Sequence, residues 1–206
     1  MKQKWMAFAE NFSVSQEDAE SIFDQMNELY TAPRRAYHNW QHIAEMLNWL
    51  EKWKSALDGP IWVEAAIWFH DVVYQPGEKD NEIKSARMAE KVGTQWGMPA
   101  DQIQVVSDMI LSTTTHQPQP DTADCRWLLD LDLAILGAPV DRYDEYATQI
   151  RAEYHSYPDQ MYKAGRKMVL EAFLQKERLY FNDEMVELLL EAHARESIRR
   201  EISGLK

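Results

Sequence analysis

Apolar residues recur at steps of three and four along most of the chain, which is the spacing of one face of an α-helix. Two clear runs are Ala19, Ile22, Phe23, Met26, Leu29 and Tyr30, and then Ile43, Leu47, Leu50, Trp53 and Leu57. Ser13 and Gln16 have the spacing of a capping box at the start of the first run. No segment alternates apolar and polar residues over the length of a strand. The pattern therefore predicts an all-α protein.

Short groups of glycine, proline and polar residues separate the apolar runs. They stand at residues 58–60, 75–77, 97–99, 117–120, 137–139 and 157–158. Because each group ends one periodic segment before the next begins, the chain should contain about eight or nine helices. No repeat, low-complexity tract or change in composition marks a second domain, so we expect residues 1–206 to form a single one.

The segment from Ile61 to Tyr74 differs from the other runs because it is apolar nearly all round. Such a segment is typical of a central, buried helix. Its final turns carry His70 and Asp71, and burying these two polar groups is costly unless they have partners. A divalent cation would be a suitable partner, since it accepts imidazole and carboxylate ligands.

Two further polar residues stand in positions that suit the same cation. His42 lies on the preceding predicted helix, 28 positions before His70. Asp132 lies 61 positions after Asp71, in another apolar helical segment. A histidine, a His-Asp pair and a distant aspartate in this order, in a chain without strands, indicate one buried metal site.

Charge and cysteine content limit the classes of function. The net charge of −12 and the pI of about 4.9 predict a surface that repels nucleic acid, and no basic patch offsets it. A lone cysteine, Cys125, excludes an intramolecular disulfide and fits a reducing compartment. Since we find neither a signal peptide nor an apolar run of transmembrane length, we expect a cytoplasmic protein.

The residues around the candidate ligands resemble the HD superfamily of metal-dependent phosphohydrolases, and most closely a bacterial group of predicted HD phosphohydrolases. The matching stretches are RAYHNWQH (35–42), AIWFHDVVY (66–74), NEIKSA (81–86) and LDLDLAILG (129–137), with weaker likeness at 151–154 and 165–166. The resemblance covers nearly the whole chain. It implies an HD-like helical bundle around a buried metal site, with the metal core at about 30–137 and additional helices at about 139–203.

The resemblance also implies a set of metal ligands, namely His42, His70, Asp71 and Asp132. The metal would be one divalent ion, Mn, Mg, Fe, Co, Ni or Zn, because this donor set suits all of them. Two alternatives stay open. His38 lies one helical turn before His42, and Asp130 competes with Asp132, although two residues so close on a helix face different directions.

The implied reaction is hydrolysis of a phosphoester or phosphoanhydride in a nucleotide or another small phosphorylated metabolite. Asp71 would orient or deprotonate the attacking water, and Glu82 and His116 are further catalytic candidates. Positive or hydrogen-bonding groups must hold the phosphate. The candidates for this role are Arg35, His38, Lys84, Arg151 and Arg166.

Two other functions are weighed against hydrolysis. A non-catalytic regulatory protein would keep the same pocket only to bind a nucleotide or a metal. A di-iron oxygenase would need two further histidines between the His-Asp pair and the final aspartate, and only His116 is present there, which favours a mononuclear site. For either the enzyme or the regulator we expect no nucleic-acid or membrane partner, and we allow for a homo-oligomer.

Overall fold

The structure, a computed structural model, describes residues 1–188 and 190–205. All regular structure in these residues is helical, as the apolar spacing predicts. The α-helices are α1 (Lys2–Ala9), α2 (Gln16–Tyr30), α3 (Trp40–Trp53), α4 (Pro60–Phe69), α5 (Asn81–Gln95), α6 (Ala100–Ser112), α7 (Ala123–Leu133), α8 (Val140–Glu153), α9 (Asp159–Gln175), α10 (Asp183–Glu187) and α11 (Leu190–Gly204).

The helices number eleven in the described residues, more than the eight or nine expected. Two of them are short: α1 has 8 residues and α10 has 5. Among the described residues, no helix combines the length and the apolar character needed to span a membrane. The chain divides into two compact units, Met1–Leu128 and Leu129–Lys206, and the division falls inside α7. The single domain expected from the sequence stays a prediction.

The central helix of the first unit is α4. It packs against α3, α5 and α6, and Val63, Ile67 and Trp68 have no exposed surface. Burying each of these three side chains contributes roughly 1.5–3 kcal/mol to stability. The prediction of a central, buried helix from its uniformly apolar sequence is therefore confirmed.

The start of α4 is fixed by a side chain from a distant helix. Gly59 precedes Pro60, which suits the first position of a helix because it has no N–H group to leave unpaired. The carboxylate of Asp124, in the first turn of α7, accepts hydrogen bonds from the backbone N–H groups of Asp58 (2.9 Å) and Gly59 (2.8 Å). A Cβ atom at Gly59 would lie 2.7 Å from Cδ1 of Trp62, so a larger residue would force the side chain of Trp62 or the backbone at this start to shift.

The end of α4 differs from the prediction. The apolar pattern predicted a helix over residues 61–74, but α4 ends at Phe69, so His70 is its C-cap and Asp71 lies beyond it. The carbonyl groups of Asp71 and Val72 accept hydrogen bonds from a side chain instead of from helical N–H groups. Pro76 also disfavours helical backbone in the residue before it. The segment 71–75 is therefore irregular, although its composition is that of the helix.

The first predicted helix also starts at a different residue. The N-cap of α2 is Ser15, whose hydroxyl accepts from the backbone N–H of Asp18 at 3.1 Å. Ser13, the expected cap, has left-handed backbone (φ 53°) and precedes the helix. The capping box read at Ser13 and Gln16 is therefore wrong by two residues, because Ser15 offers the same chemistry at a position where the helical backbone begins.

In the second unit, the buried carboxylate of Asp130 holds the segment that follows α9. Asp130 has no exposed surface. It accepts hydrogen bonds, each 2.8 Å long, from the backbone N–H groups of Phe181 and Asn182 and from the side-chain amide of Asn182. Nearby, the hydroxyl of Tyr180 donates to the carbonyl of Leu133 (3.0 Å). These bonds tie residues 180–182 to the second half of α7.

Replacing Asp130 by Asn should destabilise the second unit. In asparagine, an NH2 group stands where Asp130 has one of its carboxylate oxygens. This NH2 group is a donor, so an N–H group that faces it loses its acceptor. We therefore expect the free energy of unfolding to fall by about 1–3 kcal/mol. Urea denaturation followed by circular dichroism measures this loss. As a control, Asp24→Asn changes an acidic side chain that is 70% exposed, so it should shift stability by less than about 0.5 kcal/mol. Equal effects of the two variants would refute the assigned role of Asp130.

Candidate metal centre

Two buried histidines on neighbouring helices form the centre of the candidate site. His42 lies in the first turn of α3, whose N-cap Asn39 accepts from the backbone N–H of Gln41 at 2.7 Å. His70 is the C-cap of α4. The two side chains are almost fully buried, and their Nε2 atoms are 3.2 Å apart. Because α3 packs on α4, the start of one helix and the end of the other bring the rings together.

Each ring is oriented by a contact at its other nitrogen. Nδ1 of His70 is 3.0 Å from the carbonyl oxygen of Ile67. A carbonyl can only accept, so Nδ1 carries the proton, and in the neutral ring the lone pair is on Nε2. Nδ1 of His42 is 3.1 Å from the hydroxyl of Tyr37, which can donate or accept. Contacts of this kind typically orient histidines that bind metals through Nε2.

The carboxylate of Asp71 lies against both histidines. Its Oδ2 is 3.0 Å from Nε2 of His70 and 3.6 Å from Nε2 of His42. Burial acts to raise the pKa of Asp71, but the charges of His70 and His38 and the hydrogen bond from His70 outweigh it. The pKa of Asp71 therefore lies well below its usual range, and the carboxylate is ionised at neutral pH.

This arrangement needs a positive charge between its members. If His70 is neutral, its Nε2 lone pair faces an ionised carboxylate 3.0 Å away, and two acceptors in a buried place repel each other. Either a proton on Nε2 or a metal ion removes the repulsion. Nitrogen and oxygen ligands sit about 2.0–2.2 Å from a zinc-like ion, so neighbouring ligands are separated by roughly 3–3.5 Å. The separations among Nε2 of His42, Nε2 of His70 and Oδ2 of Asp71 fit such an ion.

Asp132, the predicted distant aspartate, offers a further carboxylate. It lies near the end of α7 and is partly buried. Its place beside His42 and His70 in a metal centre stays a prediction. The rival Asp130 instead uses both oxygens to accept hydrogen bonds, and burial raises its pKa to about 6. Both carboxylate oxygens of Asp130 are therefore engaged within the second unit, which disfavours Asp130 as a metal ligand.

Arg35, predicted to bind substrate, is directed at the main chain near the centre. Its Nη1 donates to the carbonyls of His38 (2.9 Å) and Asp71 (2.6 Å), and its Nη2 donates to the carbonyl of Val72 (2.8 Å). The guanidinium carbon lies 5.3 Å from the ring centre of Tyr30 and 5.5 Å from that of Tyr74. At these distances both rings attract the cation.

Two residues of α5 that the sequence analysis did not single out hold the segment after Asp71 from the other direction. The hydroxyl of Ser85 accepts from the N–H of Val73 (3.1 Å) and donates to its carbonyl (3.2 Å). The amide of Asn81 pairs in the same way with the N–H and the carbonyl of Gln75, each at 3.0 Å. One signal in the sequence could have identified these two residues. Asn81 and Ser85 are four residues apart, on one face of a helix, in the stretch 81–86 that resembles the HD superfamily.

The other three predicted cations also contact groups of the protein. Lys84 pairs with Asp80, with Nζ and Oδ1 2.7 Å apart. Arg151 donates to the carbonyls of Tyr154 and Tyr157 and to the carboxylate of Asp159. The buried Arg166 forms a two-pronged pair with the carboxylate of Glu201, at 2.8 and 3.0 Å, and its Nη1 donates to the hydroxyl of Tyr146. Their role in phosphate binding stays a prediction.

The remaining candidates lie in three different kinds of local structure. His38 stacks on Tyr74, with ring centres 3.8 Å apart, and its ring centre is 6.2 Å from that of His42. The sequence placed His38 one helical turn before His42, but α3 begins only at Trp40, so His38 precedes the helix. Glu82 lies in the first turn of α5, as expected. His116 lies in the loop after α6 with left-handed backbone (φ 49°).

Comparison with known proteins adds no family assignment. No family model, no curated protein and no solved structure matches the chain. In the described residues, the fold and the site define an all-helical protein with a buried cluster of His42, His70 and Asp71, whose donor types suit a divalent metal ion.

Replacing His70 by Gln should abolish metal binding. The glutamine amide cannot provide the imidazole Nε2 that faces His42 and Asp71. Losing a residue that only supports a ligand already lowers metal affinity about 10–100-fold. Because His70 is itself a proposed ligand, we expect its loss to lower metal affinity more than about 100-fold. Elemental analysis of purified protein and titration with Co²⁺ measure it. The matched control is His193→Gln, on an exposed position of α11, which should bind as the wild type does. Full metal content in His70→Gln would contradict the assignment.

Removing the hydroxyl of Tyr37 should weaken the centre without destroying it. In Tyr37→Phe, Nδ1 of His42 loses its partner, so the ring is less firmly oriented, and we expect the affinity for Co²⁺ to fall about 10–100-fold. Isothermal titration calorimetry gives the affinity. Tyr154→Phe removes a hydroxyl from the second unit and serves as the control. An unchanged affinity in Tyr37→Phe would mean that the 3.1 Å contact does not orient His42.

Proposed function

We propose that the protein is a metal-dependent phosphohydrolase of the HD type that acts on a nucleotide or another small phosphorylated metabolite. The observation that carries the proposal is the contact of the ionised Asp71 with Nε2 of His70, 3.0 Å away in a nearly buried cluster that also contains His42. A divalent metal ion bound there, like a proton on Nε2 of His70, would remove the repulsion between the carboxylate and the imidazole lone pair. The donors of the cluster, two imidazoles and a carboxylate, are those that divalent ions used in hydrolysis accept.

The proposed ligands are His42, His70, Asp71 and Asp132. When bound, a divalent ion supplies positive charge for a phosphoryl oxygen and lowers the pKa of water. The protein's own role in this proposal is to hold the four ligand side chains in place before the substrate binds. Such preorganisation matters because charge stabilisation in a site is effective only if its groups need not move during the reaction.

The residues around the ligands have separate proposed tasks. Asp71 accepts a hydrogen bond from the attacking water and so orients it. His38, which stacks on Tyr74, is proposed to contact the phosphorylated substrate. Glu82 and His116 are proposed for proton transfer, one from the first turn of α5 and the other from the loop after α6.

The test is hydrolysis by metal-loaded protein of a panel of nucleotides and phosphomonoesters. Replacing Asp71 by Asn keeps the size of the side chain but removes its charge, so we expect both bound metal and hydrolysis to fall to background. Asp24→Asn, on the exposed face of α2, is the matched control and should hydrolyse at the wild-type rate. Wild-type protein that contains metal and hydrolyses no member of the panel would refute the proposed activity.

A second candidate is a regulatory protein that binds a nucleotide without cleaving it. It would keep the cluster of His42, His70 and Asp71 only to bind a metal or a nucleotide. In the same panel, this candidate predicts a nucleotide that raises the unfolding temperature and is recovered intact after prolonged incubation. The enzyme instead predicts that the stabilising nucleotide is consumed.

A further inference from the structure

Arg35 joins two segments that carry the candidate ligands. One segment precedes α3 and includes His38, four residues before His42. The other segment follows α4 and begins with Asp71. A single guanidinium donates to the carbonyl of His38 and to the carbonyls of Asp71 and Val72, at 2.6–2.9 Å. The two segments are therefore held together through their main chains, next to the side chains that meet in the centre.

The segment after α4 has no regular partner for its backbone groups. It is neither helical nor part of a sheet, so side chains satisfy many of its polar groups, while the N–H of Val72 donates to the carbonyl of Phe69 (3.1 Å). Arg35 binds the carbonyls of Asp71 and Val72, Ser85 binds both backbone groups of Val73, and Asn81 binds both backbone groups of Gln75. Arg35 is the member of this set that touches the main chain of a ligand residue.

The surroundings of the guanidinium fit main-chain anchoring. The guanidinium lies over the rings of both Tyr30 and Tyr74, and these contacts restrict the directions in which it can donate. Tyr30 is itself fixed, because its buried hydroxyl donates to the carbonyl of Trp68 at 3.0 Å. The planar fork of arginine can reach several carbonyls at once in a fixed geometry, whereas the ammonium of lysine is a compact point charge.

We propose that Arg35 is a positioning residue, which sets the main chain at Asp71 and before His42 so that the carboxylate and the two imidazoles converge. The proposal rests on the proposed function only in assuming that these side chains bind a metal. It replaces the role predicted from the sequence, in which Arg35 grips the phosphate of the substrate.

The experiment measures Co²⁺ binding, since Co²⁺ reports both affinity and ligand geometry through its visible absorption. We expect Arg35→Ala and Arg35→Lys to bind Co²⁺ about 10–100-fold more weakly than the wild type, with altered spectra. Added methylguanidine should restore the wild-type spectrum to Arg35→Ala, because it can take the place of the missing guanidinium beside the rings of Tyr30 and Tyr74. Arg34→Ala, at the exposed neighbouring position, is the control and should match the wild type.

Three results would overturn the proposal. If Arg35→Lys binds Co²⁺ with the affinity and spectrum of the wild type and only raises KM for hydrolysis, Arg35 binds substrate. If Arg35→Ala folds and binds Co²⁺ normally, it has no positioning role. If both variants fail to fold, Arg35 serves overall stability. Wild-type protein that binds no Co²⁺ would refute the metal centre itself, whereas wild-type protein that binds Co²⁺ but hydrolyses nothing refutes only the enzymatic function.

Discussion

His70 and Asp71 are neighbours in the chain, and their side chains meet in space because α4 ends just before them. On an α-helix, adjacent residues point about 100° apart and do not face each other. Once the backbone leaves the helix, the carboxylate of Asp71 can turn to within 3.0 Å of the imidazole of its neighbour. The candidate centre thus depends on where one helix stops.

That end point is set by side chains that compete with the helix for backbone hydrogen bonds. Arg35 binds two carbonyls after the end of α4, and Ser85 and Asn81 bind the groups that follow. At the other end, Asp124 accepts from the two N–H groups before Pro60. With both ends fixed and the middle buried, α4 has little freedom to shift along its axis, so His70 keeps its place opposite His42.

Local properties of the chain were predictable, and contacts between distant residues were not. Uniform apolarity identified α4 as central, and the conflict of His70 and Asp71 with that apolarity singled them out. The end of α4 could not be read from residues 61–74, since the side chains that impose it stand at 35, 81 and 85. Likewise, an arginine offers the same donors to a phosphate and to a carbonyl, so sequence alone could not tell which of them Arg35 binds. The choice between Asp130 and Asp132 needed the distant partners of Asp130, at 181 and 182.

Because side chains anchor residues 71–75, the order of folding and metal uptake need not be that of a small zinc domain. In small zinc domains the ion itself organises the chain, so folding and metal uptake are one process. Here the entropy of ordering the segment is offset by hydrogen bonds from arginine, serine and asparagine and by the burial of α4. In the proposed metal centre, folding and metal loading would therefore be separable steps, and a chain that is already folded would take up whichever ion its surroundings supply.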